Sequence, residues 1–155
     1  MKKDGARRSE YTETEQLAFD YLQAASDCHI RIRTYRGDIE YLREFRRSIA
    51  ATVYDNGKTA ALFIDLEQEQ ERKAAAYEKQ LQEAARMIDA FAEAGDNQTD
   101  AEIFRRRYID CEIWEDIADA MFYTGGYVQK RHRKALQAFG EWLTCAAAGD
   151  IAEAV

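Results

Sequence analysis

The side chains best suited to chemistry lie in one stretch near the C-terminal end of the chain. Gln129, Lys130, Arg133 and Lys134 recur at helical spacing, which places an amide and three cations on one face of a helix. Cations in this arrangement contact phosphate groups, and a glutamine amide can bond adenine bidentately. The pattern therefore indicates contact with DNA rather than catalysis.

The start of the same helix offers backbone groups. Thr124 is predicted as the N-cap, because its hydroxyl can accept a hydrogen bond from an N–H of the next turn. Gly125, Gly126 and Tyr127 follow, and the free N–H groups and dipole of a helix N-terminus favour phosphate. Since glycines offer no side chain to a base edge, we expect modest sequence specificity.

A shorter helix is predicted just before this one. Its apolar positions fall at helical spacing: Ile113, Trp114, Ile117, Ala118 and Met121. A short helix, a brief turn and a cationic second helix are typical of a helix-turn-helix, with Ala118 where the two helices cross. Phe122 stands where such turns usually carry glycine, so either the turn differs or Phe122 is strained.

At these residues the chain resembles region four of sigma factors and, more closely, the C-terminal half of phage and prophage regulators of the ArpU/RinA type. The matching residues are Tyr108, Trp114, Glu115, Ile117, Ala118, Val128, His132, Ala135 and Leu136. The resemblance implies a transcriptional regulator that binds double-stranded DNA through a C-terminal helix-turn-helix in the major groove. It also implies a bacterial host, with host RNA polymerase as a second candidate partner. Since neither a membrane span nor a signal peptide is expected, the protein is placed in the cytoplasm of that host.

Two other hypotheses fit the same pattern. A phage terminase small subunit also joins a helix-turn-helix to helical oligomerisation segments. A module that docks on RNA polymerase without binding DNA is the other, since helix-turn-helix units also serve as protein contacts. Two interpretations stay open locally: Arg105–Arg107 contact phosphate or form a solvated face, and His132 packs in the core or touches a phosphate.

The rest of the sequence predicts an all-α fold. Helices are expected over about 14–53 and 59–94, joined by a turn at Asp55-Asn56-Gly57, as a long antiparallel hairpin with a coiled-coil-like seam. The seam on the second helix is expected to hold Leu62, Leu66, Tyr77, Leu81, Ala84, Ile88 and Phe91. A hairpin this thin has little interior, so a homo-oligomer, favoured as a dimer, is predicted.

These elements divide the chain into four predicted segments. They are a flexible basic N-terminus at 1–10, the assembly hairpin at 11–95, the DNA-binding domain at 98–145 and a weakly structured tail at 146–155. Gly95 is expected to end the second long helix. Thr99 is expected to cap the next one, with Glu102 completing a capping box.

Composition excludes several classes. The net charge of −7 is unusual for a DNA-binding protein, and ten acidic against five basic residues at 54–97 account for most of it. No apolar run is long enough to span a bilayer, and the first residues do not form a signal peptide. The three cysteines and two histidines lack metal-ligand spacing, and no catalytic motif is present, so we expect buried thiols, no cofactor, no metal and no enzyme.

Overall fold

A computed structural model describes residues 10–153, with side chains to residue 149. The described residues form helices and no strand: α1 (Glu13–Ala50), α2 (Lys58–Glu93), α3 (Gln98–Phe104), a π-helical turn (Arg105–Ile109), α4 (Trp114–Met121) and α5 (Gly125–Glu153). The predicted all-α fold and the hairpin of α1 and α2 are confirmed. The predicted N-terminal segment falls outside the described residues, except for Glu10.

The turn between α1 and α2 follows the sequence signal. Asn56 and Gly57 both take positive φ, 59° and 80°. Asp55 accepts a hydrogen bond from the Thr59 backbone N–H at 3.0 Å and a second from the Thr59 hydroxyl, so α2 begins with a side-chain cap. These bonds hold the pKa of the Asp55 carboxyl below its usual value.

The chain divides into two compact units at points inside the long helices. The terminal unit comprises the described residues up to Ser26 and from Ala84 onward, and the hairpin unit comprises Asp27–Glu83. The prediction had placed the boundary after residue 95. The first turns of α1 therefore belong with the C-terminal helices, because their apolar side chains join the same core.

The hairpin unit contains one seam. On α1 its positions alternate by three and four residues: Ile32, Tyr35, Ile39, Leu42, Arg46 and Ile49. On α2 the matching positions are Phe63, Glu67, Gln70, Ala74, Tyr77 and Leu81. The prediction that Leu62 and Leu66 belong to the seam is wrong, since they are 65% and 46% exposed.

The terminal unit holds the main core. Its buried members are Ala18, Leu22, Ile88, Phe91, Ala101, Phe104, Tyr108, Ala135, Leu136 and Phe139. Rings of Phe91 and Phe139 meet edge to face with centroids 5.1 Å apart. Gly140 lets α5 approach α1, because a Cβ there would stand 2.3 Å from the Thr14 carbonyl oxygen.

Three local predictions need correction. Asn97, not Thr99, occupies the N-cap of α3, and no side-chain cap bond forms there; its amide instead donates to the Phe91 carbonyl at 3.0 Å. Gly95 follows the end of α2 without the positive φ of a glycine cap. The expected tail after residue 145 is helical as far as Glu153.

The cysteines also depart from the expected buried thiols. Cys28 is buried, and desolvation raises the pKa of its thiol. Cys111 and Cys145 are exposed. The prediction was therefore correct for one cysteine and wrong for two.

Candidate nucleic-acid interface

The turn between α4 and α5 is closed by backbone bonds. Phe122 ends α4 in the left-handed conformation, with φ 60° and ψ 38°. Its N–H donates to the Asp119 carbonyl at 3.3 Å, and the Tyr123 N–H donates to the Ala118 carbonyl at 2.9 Å, which is the Schellman arrangement. Of the two alternatives that the sequence left open, the structure shows the strained Phe122.

Thr124 then caps α5, as predicted. Its hydroxyl accepts a hydrogen bond from the Tyr127 N–H at 3.2 Å, and its carbonyl accepts one from the Val128 N–H at 3.1 Å. Gly125 and Gly126 have nothing within 4 Å of the place where a Cβ would stand. The first turn of α5 is thus open to an incoming group.

A small apolar cluster fixes the angle between α4 and α5. Ile103 of α3, Ile117 and Ala118 of α4 and Val128 of α5 are buried together, with Trp114 and Met121 packed around them. Ala118 is 4% exposed, as expected for a residue where two helices cross. The cluster packs the first turn of α5 against α3 and α4.

The exposed face of α5 carries the residues predicted to contact DNA. Gly125, Gly126, Tyr127, Gln129, Lys130, Arg133 and Lys134 are all exposed. Lys130 and Lys134 make no hydrogen bond or ion pair with any residue between 10 and 149. Their ammonium groups are therefore free to meet an anion.

Arg133 differs from its neighbours, because the start of the chain already binds it. Its guanidinium donates to the Glu10 carbonyl at 2.6 Å, lies 3.2 Å from a carboxylate oxygen of Glu15 and sits 5.4 Å from the centre of the Tyr11 ring. The expected role of Arg133 as a DNA contact conflicts with these bonds. A carboxylate pair here also reduces the positive potential beside Lys130.

Sequence reasoning missed this contribution of the N-terminal residues. Thr12 donates from its hydroxyl to the Gln137 side-chain oxygen at 2.9 Å, which continues the same contact along α5. The only local signal was Gly140, a glycine inside a helical stretch, which can mark a close approach of two backbones. Its partner Thr14 lies at the other end of the chain and carries no matching signal.

Three further arginines form ion pairs within the described residues. Arg131 donates from Nε to Asp100 at 2.6 Å, which raises the pKa of Arg131. Arg105 pairs with Asp89, and Arg106 pairs with Glu102 and Glu112. For these two arginines the structure favours internal pairing over phosphate contact.

His132 faces inward and packs in the core. The Tyr108 hydroxyl and His132 Nε2 share a hydrogen bond of 2.6 Å, and the Trp114 ring stands edge-on to the imidazole at 4.7 Å. Burial, followed by the charge of Arg107, lowers the pKa of His132 to about 4. Burial raises the pKa of Tyr108, so both groups are neutral at neutral pH.

No protein-family model, curated protein or solved structure matches this chain. Within residues 10–153, no set of His, Cys, Asp and Glu side chains could hold a metal ion. Among the same residues, no helix is both long and apolar enough to cross a membrane. Function has to be inferred from the geometry and charge of the residues themselves.

Proposed function

We propose that this protein is a DNA-binding transcriptional regulator, with α4, the Phe122–Thr124 turn and α5 acting as a helix-turn-helix. One observation carries the proposal: the free ammonium groups of Lys130 and Lys134 lie on the same exposed face as the open first turn of α5. A helix presented in this way fits the major groove. Regulation of phage or prophage genes rests only on the resemblance to ArpU/RinA-type proteins.

Each exposed residue then has a distinct role. Lys130 and Lys134 hold the phosphate backbone, which sets position rather than sequence. The backbone N–H groups of Gly125 and Gly126 donate to a phosphate oxygen at the helix N-terminus. Gln129 is the residue that reads a base, and Tyr127 and Thr124 border the contact. Arg133 stays with Glu10 and Glu15 and is left out of the interface.

Intrinsic affinity is expected to be low. Two lysines neutralise few phosphates, the chain has a net charge of −7, and Glu10 and Glu15 lie beside the contact face. Specific binding therefore requires two copies, or a second protein that contacts DNA or RNA polymerase.

Fluorescence anisotropy with a labelled mixed-sequence duplex tests the interface. Lys130→Gln with Lys134→Gln should weaken binding and reduce the salt slope of log K by about 0.9 for each phosphate that is no longer neutralised. Lys79→Gln removes an exposed cation from α2 and should change neither quantity. If the double variant keeps both affinity and slope, α5 is not the DNA-binding helix.

The same measurements separate the other hypotheses. Capture of RNA polymerase by a protein that does not bind the duplex would favour a docking module. A closed ring of many subunits would favour a terminase small subunit over a regulator. A monomer or dimer that binds the duplex supports the regulator.

A further inference from the structure

A cleft beside the proposed DNA interface has the size of a small-molecule site. Its volume is about 500 Å³. Its lining comes from the residues just before α1, from α1, the π-helical turn, α4 and α5, all within the terminal unit. Sites for small ligands commonly occupy about 300–1,000 Å³. Only Gln129, at the rim, is shared with the residues assigned to DNA.

Aromatic rings form much of the lining. Tyr11 and Phe19 contact each other with ring centroids 5.6 Å apart, and Trp114 contributes a third ring from α4. All three side chains are half-buried, so each keeps part of a ring surface available. Such rings favour a flat ligand that can stack on them.

Arg107 supplies a positive charge that no carboxylate in the described part of the chain neutralises. Its guanidinium lies 4.6 Å from the centre of the Trp114 ring and donates one bond, at 3.1 Å, to the Glu112 carbonyl. Among residues 10–149 no carboxylate lies within 4 Å of it, whereas Arg105 and Arg106 each have one. Arg107 is thus held in place while most of its N–H donors remain available.

The other polar side chains described here do not neutralise the charge of Arg107. Tyr108 and His132 bond to each other and are buried. The remaining cation, Arg133, is already balanced by Glu10 and Glu15. Gln129 adds an amide that can donate or accept. The cleft therefore combines stacking surfaces, one cation with no carboxylate partner among residues 10–149, and the neutral amides of Gln23 and Gln129.

We propose that this cleft binds a small planar aromatic anion. Its carboxylate would meet the Arg107 guanidinium, which matches the geometry of that group, and its ring would stack among Tyr11, Phe19 and Trp114. The inference rests on the cleft alone, so it stands whether or not the protein binds DNA.

Calorimetric titration with a charge series tests the proposal. The probes are naphthalene-2-carboxylate and its uncharged analogue naphthalene-2-carboxamide, which share one ring system. The carboxylate should bind at least about tenfold more tightly, since a charge-assisted bond is about twice as strong as a neutral one. Equal affinities, or no measurable binding of the carboxylate, would overturn the proposal.

Arg107→Gln should abolish the preference for the carboxylate, and Arg105→Gln is the matched control. Arg105 belongs to the same turn but pairs with Asp89, so its loss should leave the preference unchanged. If both variants lose it equally, Arg107 is not the anchor.

A measurement on the unaltered protein covers the case in which Arg107→Gln does not fold. In an NMR titration, naphthalene-2-carboxylate should shift the indole N–H resonance of Trp114. The resonance of Trp142, which packs on Phe91 and Phe139, should stay unchanged. A shift confined to Trp142 would place the ligand elsewhere and refute the site.

Discussion

Phe122 carries a backbone conformation that its side chain does not favour. The residue has φ 60° and is 94% exposed, so its ring contributes little packing that could offset the strain. Phe122→Gly should raise the free energy of unfolding by about 0.5–1 kcal/mol, since relief of strain exceeds the added entropy of the unfolded chain. Urea denaturation measures the change.

Phe122→Ala separates strain from the loss of the ring. Alanine removes the ring but keeps the Cβ that causes the strain, so its unfolding free energy should stay close to that of the unaltered protein. An equal gain from alanine and glycine would show that the exposed ring, and not the backbone, destabilises the turn.

His132 makes stability depend on pH. An unfolded histidine takes up its proton near pH 6.5, whereas the folded protein holds the pKa of His132 at about 4. Between these two pH values the unfolded chain binds more protons than the folded protein. The contribution of His132 to the unfolding free energy is therefore fully present above pH 6.5 and is lost as the pH falls towards 4. The loss is on the order of 3 kcal/mol.

Urea denaturation at a series of pH values tests this contribution. His132→Gln removes the titrating group and keeps an amide that can bond the Tyr108 hydroxyl, so the slope of stability against pH between 6.5 and 5 should flatten. An unchanged slope in this variant would assign the pH dependence to other groups.

Single residues differ in how far the sequence could predict them. The Thr124 cap depends on neighbours a few residues away, and so does the strain at Phe122, which the sequence offered as one of two alternatives. The bond between Arg133 and Glu10 joins residues 123 positions apart, and no local pattern encodes it. Arg133 therefore looked like a free cation in the sequence and is an internal partner in the structure.

At the scale of helices, the three–four repeat was predictive wherever the seam is apolar. On α1 it runs through Tyr35, Ile39 and Leu42, whose side chains are all buried or half-buried. On α2 the repeat passes through the polar residues Glu67 and Gln70. The prediction therefore assigned the nearby apolar residues Leu62 and Leu66 to the seam, which is wrong. A strict repeat carried back from Phe91 would have found Phe63 and Glu67.

Glu67 replaces an apolar seam residue with a charge. It is 6% exposed and lies 3.1 Å from Arg46, which interrupts the stripe on α1, and 3.4 Å from Arg43. The Arg46 side chain is 32% exposed, so Glu67 loses most of its water and Arg46 loses part of it. Ion pairs that lose water in this way often stabilise less than apolar residues of similar size. The double variant Arg46→Leu, Glu67→Leu should therefore raise the unfolding free energy by about 1–4 kcal/mol.

The single variants distinguish this view from a stabilising ion pair. Arg46→Leu alone should be destabilising, because Glu67 then stays buried with only the longer contact to Arg43. If the double variant is less stable than the unaltered hairpin in thermal and urea unfolding, the pair contributes net stability and the prediction is wrong.

At the scale of the whole molecule, the sequence predicted a hairpin followed by a separate domain, but the compact units divide differently. Ala18 and Leu22 near the start of α1 share a core with Leu136 and Phe139 of α5. Amphipathic periodicity shows which face of a helix is buried but does not identify the partner that covers it. The unit boundary was therefore beyond sequence reasoning.

The hairpin unit presents two different sides. On one side, ion pairs join α1 to α2. They are formed by residues that come directly after a seam position: Arg36, Arg43, Glu71 and Glu78. Four apolar residues each come directly before a seam position: Tyr41, Phe45, Leu62 and Leu66. In an antiparallel helix pair such residues lie together on the opposite side, which we call the apolar face. Phe45 also contacts the seam residue Phe63, with ring centroids 5.3 Å apart.

We propose that a second copy of the chain covers the apolar face. Its four side chains are 67%, 45%, 65% and 46% exposed, so each copy exposes the equivalent of more than two large side chains. Burial contributes about 1.5–3 kcal/mol per side chain, which for two copies is comparable with an association cost of about 4–15 kcal/mol. A weak, concentration-dependent two-fold dimer is therefore expected, because the same patch meets itself.

Sedimentation velocity over a concentration series should show this monomer–dimer equilibrium. Leu62→Glu with Leu66→Glu should leave only monomer, because each copy would bring two carboxylates to the interface. Ile64→Glu is the matched control: this exposed side chain of α2 follows the seam position Phe63 and lies on the opposite side, so the dimer should persist. Circular dichroism verifies that each variant stays helical. A protein that is monomeric at every concentration, or equal dissociation by the control, would refute the apolar face as the dimer interface.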